Sequence, residues 1–387
     1  MAESSDPLPQ PASVLLPRER PPDPRALAAV SLADFDPLAR ERMHPAAYDY
    51  VAGGAWDEVS LAENESAWRR YRLRPRVLVD VARIDPTTTL LGSRVAFPAA
   101  TAPMATHGLA HPDGELASAR AAAAAGVPFT LSTMSSRSIE GVAGATPGGT
   151  NWFQLYMQGT EGQSRRLVER AETAGFGAIV LTVDLPILGY RARDRRNGFE
   201  LDVPLGNFVS EPTTGIVGPS HRPDASGYAA LESPPRRTLT WEDIATIRGW
   251  SSLPIVLKGI LTAEDARLAV EHGADGIAVS NHGARQLDRV PAAIDVLEEV
   301  GSAVRGRVEI WVDGGVRSGL DIAIALALGA RGVLVGRPIV WALAAGGQAG
   351  VERALAILRE EFETALALLG APTPGDITRA SVATAVS

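Results

Sequence analysis

A histidine and an arginine lie three residues apart in the segment 280–286, Ser-Asn-His-Gly-Ala-Arg-Gln, which directly follows the short apolar run 276–279. Such a run is typical of a buried β-strand, so His282 and Arg285 are predicted on the loop that leaves it. Histidine is the usual general base near neutral pH, and arginine binds planar carboxylates through paired hydrogen bonds. The segment therefore indicates proton removal from a carboxylate-bearing substrate. The alternative is an ordinary polar surface loop.

The elements that must position these side chains form a repeating pattern from residue 97 onward. Short apolar runs alternate with amphipathic helical patterns, and Gly126, Gly175 and Gly273 follow three of these helices, as at helix C-termini. The predicted strands are 97–102, 128–132, 152–156, 177–183, 254–258, 276–280, 308–312 and 332–335; helices between them include 114–125, 161–174, 263–272 and 319–328. Eight strand–helix units predict an α/β fold, a closed (β/α)8 TIM barrel. A doubly wound sheet is the alternative, weakened because no G-x-G-x-x-G motif follows the first strand.

Domain organisation follows from composition. Residues 1–30 are rich in proline and are predicted to be a disordered arm, whereas residues 31–387 are predicted to be one barrel domain that begins with a helical segment. About 70 residues separate the fourth and fifth strands, and their middle part is dense in Pro, Gly and Ser. Long irregular loops of this kind are usually lids or disordered segments.

The overall composition excludes several classes of function. The net charge is −8 without a basic run, so nucleic acid is not an expected partner. The chain has no cysteine, which excludes disulfides, thiolate catalysis and Cys-ligated metals. The histidines lack metal-ligand spacing, and no metal is expected. No apolar run is long enough to span a bilayer, no signal peptide is evident, and a cytoplasmic location is expected.

Candidate site residues are those at the carboxyl ends of the strands, because the active site of a (β/α)8 barrel forms there. Every predicted strand after the first ends in a polar or ionisable group. In chain order these positions hold Ala102, Pro103, Met104 and Ala105; Ser132 and Met134; Gln154 and Tyr156; Thr182 and Asp184; Lys258; Ser280 and His282; Asp313, Gly314, Gly315 and Arg317; and Gly336 and Arg337.

The ends of the last two strands predict a phosphate site. Glycines expose backbone N–H groups and arginines add paired donors, and both types occur together here. The residues concerned are Gly314, Gly315, Arg317, Gly336 and Arg337. The alternative is that the glycines only make tight turns.

The other strand ends supply a base, a carboxylate, a lysine and anion-binding arginines. Each also has a structural alternative: Lys258 in a buried ion pair, Asp184 as a helix N-cap or as a partner of Arg191, and Tyr156 in ordinary core packing. Arg191 belongs to an arginine-rich stretch that could be a solvated face.

Together these residues resemble the FMN-dependent (S)-2-hydroxy acid oxidase and dehydrogenase family, which includes glycolate oxidase, lactate oxidase and mandelate dehydrogenase. The resemblance runs from about residue 31 to about residue 369. Its marks are Ser-Asn-His-Gly-Ala-Arg-Gln-Leu-Asp at 280–288, Phe-Gln-Leu-Tyr at 153–156, Leu-Thr-Val-Asp at 181–184, Val-Leu-Lys-Gly at 256–259 and Val-Asp-Gly-Gly-Val-Arg-Ser-Gly at 312–319.

The resemblance implies a role for each position. FMN would be held by Ala102, Pro103, Met104, Ser132, Gln154, Thr182, Lys258, Ser280, Asp313, Gly314, Gly315, Arg317, Gly336 and Arg337. The substrate carboxylate would be bound by Tyr50, Arg191 and Arg285, with Met134 and Ala105 as further substrate contacts. His282 would remove a proton, Asp184 would stabilise the imidazolium, and Tyr156 would bind the substrate hydroxyl. Lys258 would stabilise the reduced flavin.

Two departures from the family concern the substrate. Met134 stands where glycolate oxidases often have an aromatic residue, and Met104 where a smaller polar residue is common. Methionine is flexible and apolar, so an apolar substituent on the 2-carbon, as in lactate or a larger acid, is expected.

The resemblance also implies a mobile lid at residues 190–237, oxygen as the electron acceptor, hydrogen peroxide as a product, and a homo-oligomer of four or eight copies. A dehydrogenase that uses a quinone or carrier protein and a lactate 2-monooxygenase are alternatives. A flavin-binding protein without catalysis and an isoprenoid diphosphate isomerase are disfavoured by the base and the carboxylate clamp. Hydride and carbanion routes both remain open.

Overall fold

A computed structural model describes residues 17–199, 201, 205–208 and 236–384. Its centre is a sheet of eight parallel strands in the order β4-β11-β10-β9-β8-β7-β6-β5. The strands of this sheet are β4 Ala99–Thr101, β5 Phe129–Ser132, β6 Asn151–Leu155, β7 Ile179–Thr182, β8 Ile255–Ile260, β9 Gly276–Val279, β10 Glu309–Val312 and β11 Gly332–Val335. Each observed strand overlaps a predicted one. The prediction of eight βα units is confirmed.

The sheet closes between its first and last strands. The backbone N–H of Thr101 in β4 donates to the carbonyl of Pro128 at 3.0 Å, and Met104 pairs in parallel with Leu131 of β5. These two contacts complete the hydrogen-bonded ring, which makes the sheet a (β/α)8 barrel rather than an open doubly wound sheet.

The helices surround this barrel. They are α1 Pro24–Leu27, α2 Phe35–Arg42, α3 Pro45–Ala52, α4 Val59–Ser66, α5 Glu115–Ala125, α6 Ile139–Ala145, α7 Glu161–Thr173, α8 Ala192–Arg196, α9 Glu242–Arg248, α10 Ala263–Glu271, α11 Ala293–Val304, α12 Gly319–Ala327 and α13 Arg337–Leu369. The glycines predicted at helix ends all have positive φ. Gly126 directly follows α5, whereas one residue separates Gly175 from α7 and Gly273 from α10. Among the described residues, no helix is both long and apolar enough to cross a membrane.

The interior of the barrel is filled by side chains. Trp152 of β6 and Trp311 of β10 lie with ring centroids 5.8 Å apart, and both are almost fully buried. The hairpin of β2 Thr88–Leu90 and β3 Ser93–Val95 adds Leu90 and Val95 to the same apolar cluster. The barrel interior is therefore a packed core. A binding cavity is expected at the carboxyl ends of the strands.

The chain termini pack beside the barrel. Strand β1 Tyr71–Leu73 pairs antiparallel with β12 Val382–Thr384. The short helix α1 lies within the predicted arm 1–30, and the N–H of Asp23 donates to the carbonyl of Ala345 in α13 at 3.0 Å. Ala26 is fully buried. Ordered packing thus begins before residue 31, because small side chains let this turn approach α13; residues 1–16 lie outside the described part.

The predicted lid 190–237 falls largely outside the described residues. Its beginning is described and includes α8 and the stretch up to Phe199. This beginning contacts α3, so the first turn of the predicted lid lies next to the N-terminal helical segment.

Candidate active site

A cavity opens at the carboxyl ends of the barrel strands, where the sequence predicted it. Most of the predicted site residues line it. The lining residues are Tyr50, Val51, Ala102, Pro103, Met104, Ala105, Ser132, Tyr156, Thr182, Arg191, Lys258, His282, Gly283, Arg285, Asp313, Gly314, Gly315, Val316, Arg317, Leu334, Gly336 and Arg337.

The predicted base has a carboxylate on one ring nitrogen and a phenol on the other. Nδ1 of His282 lies 2.8 Å from Oδ1 of Asp184, and Nε2 lies 3.3 Å from the hydroxyl of Tyr156. Both side chains of the His282–Asp184 pair are only 15% exposed. Burial lowers the pKa of His282 below its ordinary value, partly opposed by the charge of Asp184. A lowered pKa favours the neutral imidazole, the form in which a general base acts.

Asp184 stays ionised beside this base. Burial acts to raise its pKa, but the charge that His282 carries when protonated, the hydrogen bond to His282 and the charge of Lys258 outweigh burial and lower it. Its second oxygen, Oδ2, is buried and has no hydrogen-bond partner among the described residues. Asp184 therefore fixes the orientation of the imidazole and can stabilise its protonated form.

His282 lies on a strained turn. His282, Gly283 and Ala284 all have φ near +60°. For the two non-glycine residues this region costs roughly 1–3 kcal/mol each and persists only where neighbours hold it. Asn281 holds it here, since its side chain accepts from the N–H of Ala284 at 3.1 Å and exchanges two hydrogen bonds of 2.9 and 2.8 Å with Asn64 of α4.

Lys258 is paired deep in the cavity. Its Nζ lies 3.0 Å from Oδ2 of Asp313 and donates to Oγ of Ser280 at 2.8 Å. Burial opposes the charged form of Lys258, but the carboxylates of Asp313 and Asp184 outweigh burial and raise its pKa. Oδ1 of Asp313 is buried and accepts no hydrogen bond from the part of the chain that the structure describes. The lysine is thus a fixed positive charge that lines the cavity.

Two arginines are gathered at the C-terminal end of α3. Arg285 donates to the carbonyls of Tyr50 and Gly53, and its guanidinium carbon lies 4.9 Å from the centre of the Tyr50 ring. Arg337 donates to the carbonyls of Val51, Gly53 and Gly283 at 2.9–3.0 Å. The carbonyl end of a helix carries partial negative charge and favours cations.

The surroundings of Arg337 favour an anion. Burial lowers its pKa, and the positive charges of Arg285 and Arg317 lower it further. An arginine side chain keeps its proton in proteins, so the charge of Arg337 stays buried near two other positive charges at a cost in free energy. A bound negative group would offset that cost.

The remaining clamp residues, Arg191 and Tyr50, lie next to Arg285. Arg191 is buried, lines the cavity and donates through Nε to the carbonyl of Arg285 at 3.3 Å. Tyr50 stacks on Phe199 with ring centroids 4.6 Å apart. The structure therefore brings Tyr50, Arg191 and Arg285 together, as predicted, and Phe199 is an additional aromatic partner that the sequence did not single out.

The predicted phosphate site is shaped by glycines. Gly314 and Gly315 have φ of +85° and +80°, and a Cβ on Gly315 would overlap the carbonyl of Asn64. Trp68 fixes the turn, since its Nε1 donates to the carbonyl of Gly314 at 2.9 Å. Arg317 lines the same cavity and is paired with Glu65 at 2.6 Å.

These features fit a flavin mononucleotide. Arg337 offers a buried positive charge to a phosphate, and the unpartnered Oδ1 of Asp313 can accept a hydrogen bond from a polyol hydroxyl. Lys258 offers a positive charge to an electron-rich ring edge. The set of donors and the orphaned acceptor match the three chemical parts of FMN.

Two of the predicted cofactor contacts support the cavity without lining it. Oε1 of Gln154 accepts from Oγ of Ser132 at 3.1 Å, and its Nε2 donates to Oγ1 of Thr182 at 3.0 Å. Ser280 accepts from Lys258 and from the N–H of His282 at 3.0 Å. Both side chains are buried and hold the lining residues in place.

Met134, predicted as a substrate contact, does not line the described cavity. It is fully buried in an apolar cluster with Tyr156 and Leu185, against which Ala105 and Leu205 pack. Its neighbours Ala105 and Tyr156 line the cavity, so Met134 lies behind them.

Asn64 was missed by the sequence analysis. It lies 217 residues before Asn281, and only the packing of α4 brings the two amides together. No metal cluster was predicted, and no group of three or more acidic or histidine side chains suitable for a metal occurs in the described part of the chain.

Comparisons with known proteins give a consistent result. The family model for FMN-dependent dehydrogenases matches residues 39–384. Glycolate oxidase 1 of Zea mays is 49% identical over 92% of this chain and 95% of its own length. L-lactate oxidase of Nostoc sp. is 47% identical over 90% of this chain and 96% of its own. A crystal structure of mandelate oxidase with (S)-4-hydroxymandelic acid is 45% identical with a TM-score of 0.85, over 93% of this chain and 100% of that one.

Proposed function

The chain belongs to the FMN-dependent dehydrogenase family, and on that premise we propose how its residues oxidise a 2-hydroxy acid. It is an FMN-dependent oxidoreductase of the 2-hydroxy acid oxidase type. The single observation that carries the assignment of residues is the 2.8 Å contact between Nδ1 of His282 and Oδ1 of Asp184, beside a cavity lined by His282, Arg191 and Arg285.

The arginines bind the substrate carboxylate. Arg285 and Arg191 line the same cavity as His282, and Tyr50 packs against Arg285. Two guanidinium groups and a phenol can hold a carboxylate in one orientation. The 2-carbon is then held next to the imidazole, which converts a bimolecular proton transfer into an intramolecular one.

His282 accepts the proton and Asp184 stabilises the resulting positive charge. Tyr156, 3.3 Å from Nε2 of His282, is placed to bind the substrate hydroxyl or the oxo group that forms from it. The same base serves whether the proton comes from the hydroxyl or from the 2-carbon. The net reaction converts a 2-hydroxy acid and O2 into a 2-oxo acid and H2O2.

FMN, when bound, accepts the two electrons and passes them to oxygen. Gly314, Gly315, Arg317, Gly336 and Arg337 would hold its phosphate, and Asp313 its ribityl chain. Lys258 would neutralise negative charge on the ring. Ala102, Pro103, Met104, Ser132 and Thr182 would form its remaining surroundings, with Gln154 and Ser280 behind them.

The substrate is proposed to carry an apolar group on the 2-carbon. Met104, Ala105 and Tyr156 line the cavity, and Met134 and Leu185 lie behind Ala105 and Tyr156. This wall favours a methyl group or a larger apolar group over the hydrogen of glycolate by about 0.8 kcal/mol for each buried CH2. The relatives are named for glycolate, lactate and mandelate, so the substrate must be tested directly.

The test is anaerobic bleaching of the bound flavin by (S)- and (R)-enantiomers of lactate, 2-hydroxybutyrate and mandelate, and by glycolate. One (S)-acid with an apolar substituent is expected to bleach it fastest. Readmitted air should restore the colour with one peroxide per turnover. Slow reoxidation would favour a quinone or carrier protein as acceptor, and a decarboxylated product would indicate a 2-monooxygenase.

We also propose a homo-oligomer of four or eight copies, on family resemblance, and a cytoplasmic location, on the sequence pattern. Light scattering of the purified holoenzyme measures the assembly. A monomeric mass would contradict it.

A further inference from the structure

The side chain of Gln286 joins two loops at the mouth of the cavity. Its Nε2 donates to the carbonyl of Asp184 at 3.0 Å and to the carbonyl of Ile187 at 2.8 Å. Its Oε1 accepts from the N–H of Gly189 at 3.1 Å. Gln286 is 8% exposed. Both amide hydrogens and the amide oxygen are therefore used on one loop.

The two loops also touch through their backbones. A Cβ on Gly189 would overlap the carbonyl oxygen of Arg285, so only glycine allows this approach. Nε of Arg191 donates to the same carbonyl at 3.3 Å. The loop 184–191 and the loop 282–286 thus run side by side, and Gln286 supplies three hydrogen bonds across their seam.

Each loop carries half of the proposed machinery. The first begins with Asp184 and ends at Arg191, and the second holds His282 and Arg285. Residues 185–191 form no helix or strand, so their backbone groups depend on partners outside the segment. Among the described residues, Gln286 is the side chain that bonds three backbone groups of this loop.

We propose that Gln286 is a positioning residue that fixes Asp184 and Arg191 relative to His282 and Arg285, so that base and carboxylate clamp form one unit. This inference rests on the proposed function. Gln286 itself takes no part in the chemistry and acts only through the residues that it positions. Without the amide, Asp184 and Arg191 shift together. A displacement of about 1 Å can lower a reaction rate about 100-fold. We therefore expect slower flavin reduction and weaker substrate binding.

The test compares Gln286→Met, which keeps the length of the side chain without its hydrogen bonds, with Gln348→Met. Gln348 is a matched control because it is also partly buried and bonded, to Arg120 and Glu352, but lies on α13 away from these two loops. Anaerobic stopped-flow reduction of the FMN-loaded proteins gives the limiting rate and the substrate Kd. Hydrogen exchange of the peptide covering 184–191 measures how well its backbone amides are protected, and it requires no turnover.

Gln286→Met is expected to lower the limiting reduction rate between about tenfold and 100-fold, to raise the substrate Kd severalfold, and to accelerate exchange at 184–191. Gln348→Met should match wild type in all three. Reduction, binding and exchange of Gln286→Met that all equal wild type would overturn the inference. Failure of every 2-hydroxy acid to reduce wild-type FMN would instead contradict the proposed function, while the exchange comparison still decides whether Gln286 holds the loop.

Gln286→Glu separates positioning from general destabilisation, and it serves if Gln286→Met does not fold. An ionised carboxylate cannot donate to the carbonyls of Asp184 and Ile187, whereas a protonated one donates one hydrogen bond. Its reduction rate relative to wild type should therefore rise as the pH falls through the pKa of the new carboxyl group. A ratio that does not change with pH would contradict the proposal.

Discussion

Arg285 and Arg337 donate hydrogen bonds to the same carbonyl oxygen, that of Gly53, at 3.0 and 2.9 Å. One arginine belongs to the proposed carboxylate clamp and the other to the proposed phosphate site. Two like charges lie side by side because the C-terminal carbonyls of α3 hold them. The proposed sites for the substrate carboxylate and the cofactor phosphate therefore meet at one peptide group.

Arg337→Met should weaken FMN binding by about 10- to 150-fold, the range for a lost hydrogen bond to a charged group. Fluorescence titration of the apoprotein with FMN measures the loss. Riboflavin lacks the phosphate, so its affinity should change little. Arg331→Met is the control, since Arg331 is exposed and bonds the carbonyl of Thr89 instead. Equal loss of affinity for both flavins would contradict a phosphate role for Arg337.

Asp184→Asn should slow anaerobic flavin reduction by about 10²- to 10⁴-fold, the usual contribution of a positioned acid–base group. It should also shift the pH profile. His282 acts in its neutral form, and burial lowers its pKa, so the wild-type rate should fall only below the pH range in which an ordinary histidine titrates. The charge of Asp184 raises that pKa, and its removal should move the acid limb to lower pH. A limb that stays in place or moves to higher pH would refute this coupling.

Gly259→Ala should disturb Asp184 directly. Gly259 has φ of +117°, and a Cβ there would lie 2.6 Å from both Cβ and Cγ of Asp184. Gly273→Ala is a matched control, because Gly273 also has positive φ, +82°, but no atom of the described residues lies within 4 Å of the added Cβ. Both variants should lose about 1 kcal/mol or more of stability, but only Gly259→Ala should slow reduction, by tenfold or more. Equal reduction rates in the two variants would be inconsistent with this contact.

Lys258→Met should destabilise the apoprotein by about 3–5 kcal/mol, because it leaves Asp313 as a buried, unpaired carboxylate. The two side chains are only 5% and 7% exposed. Urea unfolding measures the change, and Lys258→Met with Asp313→Leu should recover most of it. Arg289→Met, which breaks an exposed pair with Asp57, should cost less than about 1 kcal/mol. A Lys258→Met loss as small as this control would show that the buried pair contributes little.

Much of this site could be predicted from the sequence, because the residues that follow the barrel strands all lie at the same end of the barrel. Lys258, His282 and Arg337 are distant in sequence, yet each directly follows or ends a short apolar run, and all three line the cavity. The periodic strand and helix patterns were sufficient to locate them.

Other features depend on packing that no local pattern encodes. The Asn64–Asn281 pair depends on the position of α4, and the carbonyl of Gly53 depends on the position of α3. The sequence predicted this region only as a helical segment. Met134 follows a strand, as the prediction required, but its side chain lies behind Tyr156 because the apolar cluster around Leu185 accommodates it. The position of a residue at a strand end does not determine whether its side chain faces the ligand.

We propose that His282 is the base that starts electron transfer from a 2-hydroxy acid. The most direct measurement is the anaerobic reduction rate of His282→Ala, loaded with FMN, mixed with the (S)-acid that reduces wild type fastest. We expect a rate lower by at least about 10²-fold with FMN still bound. Reduction at the wild-type rate would contradict it.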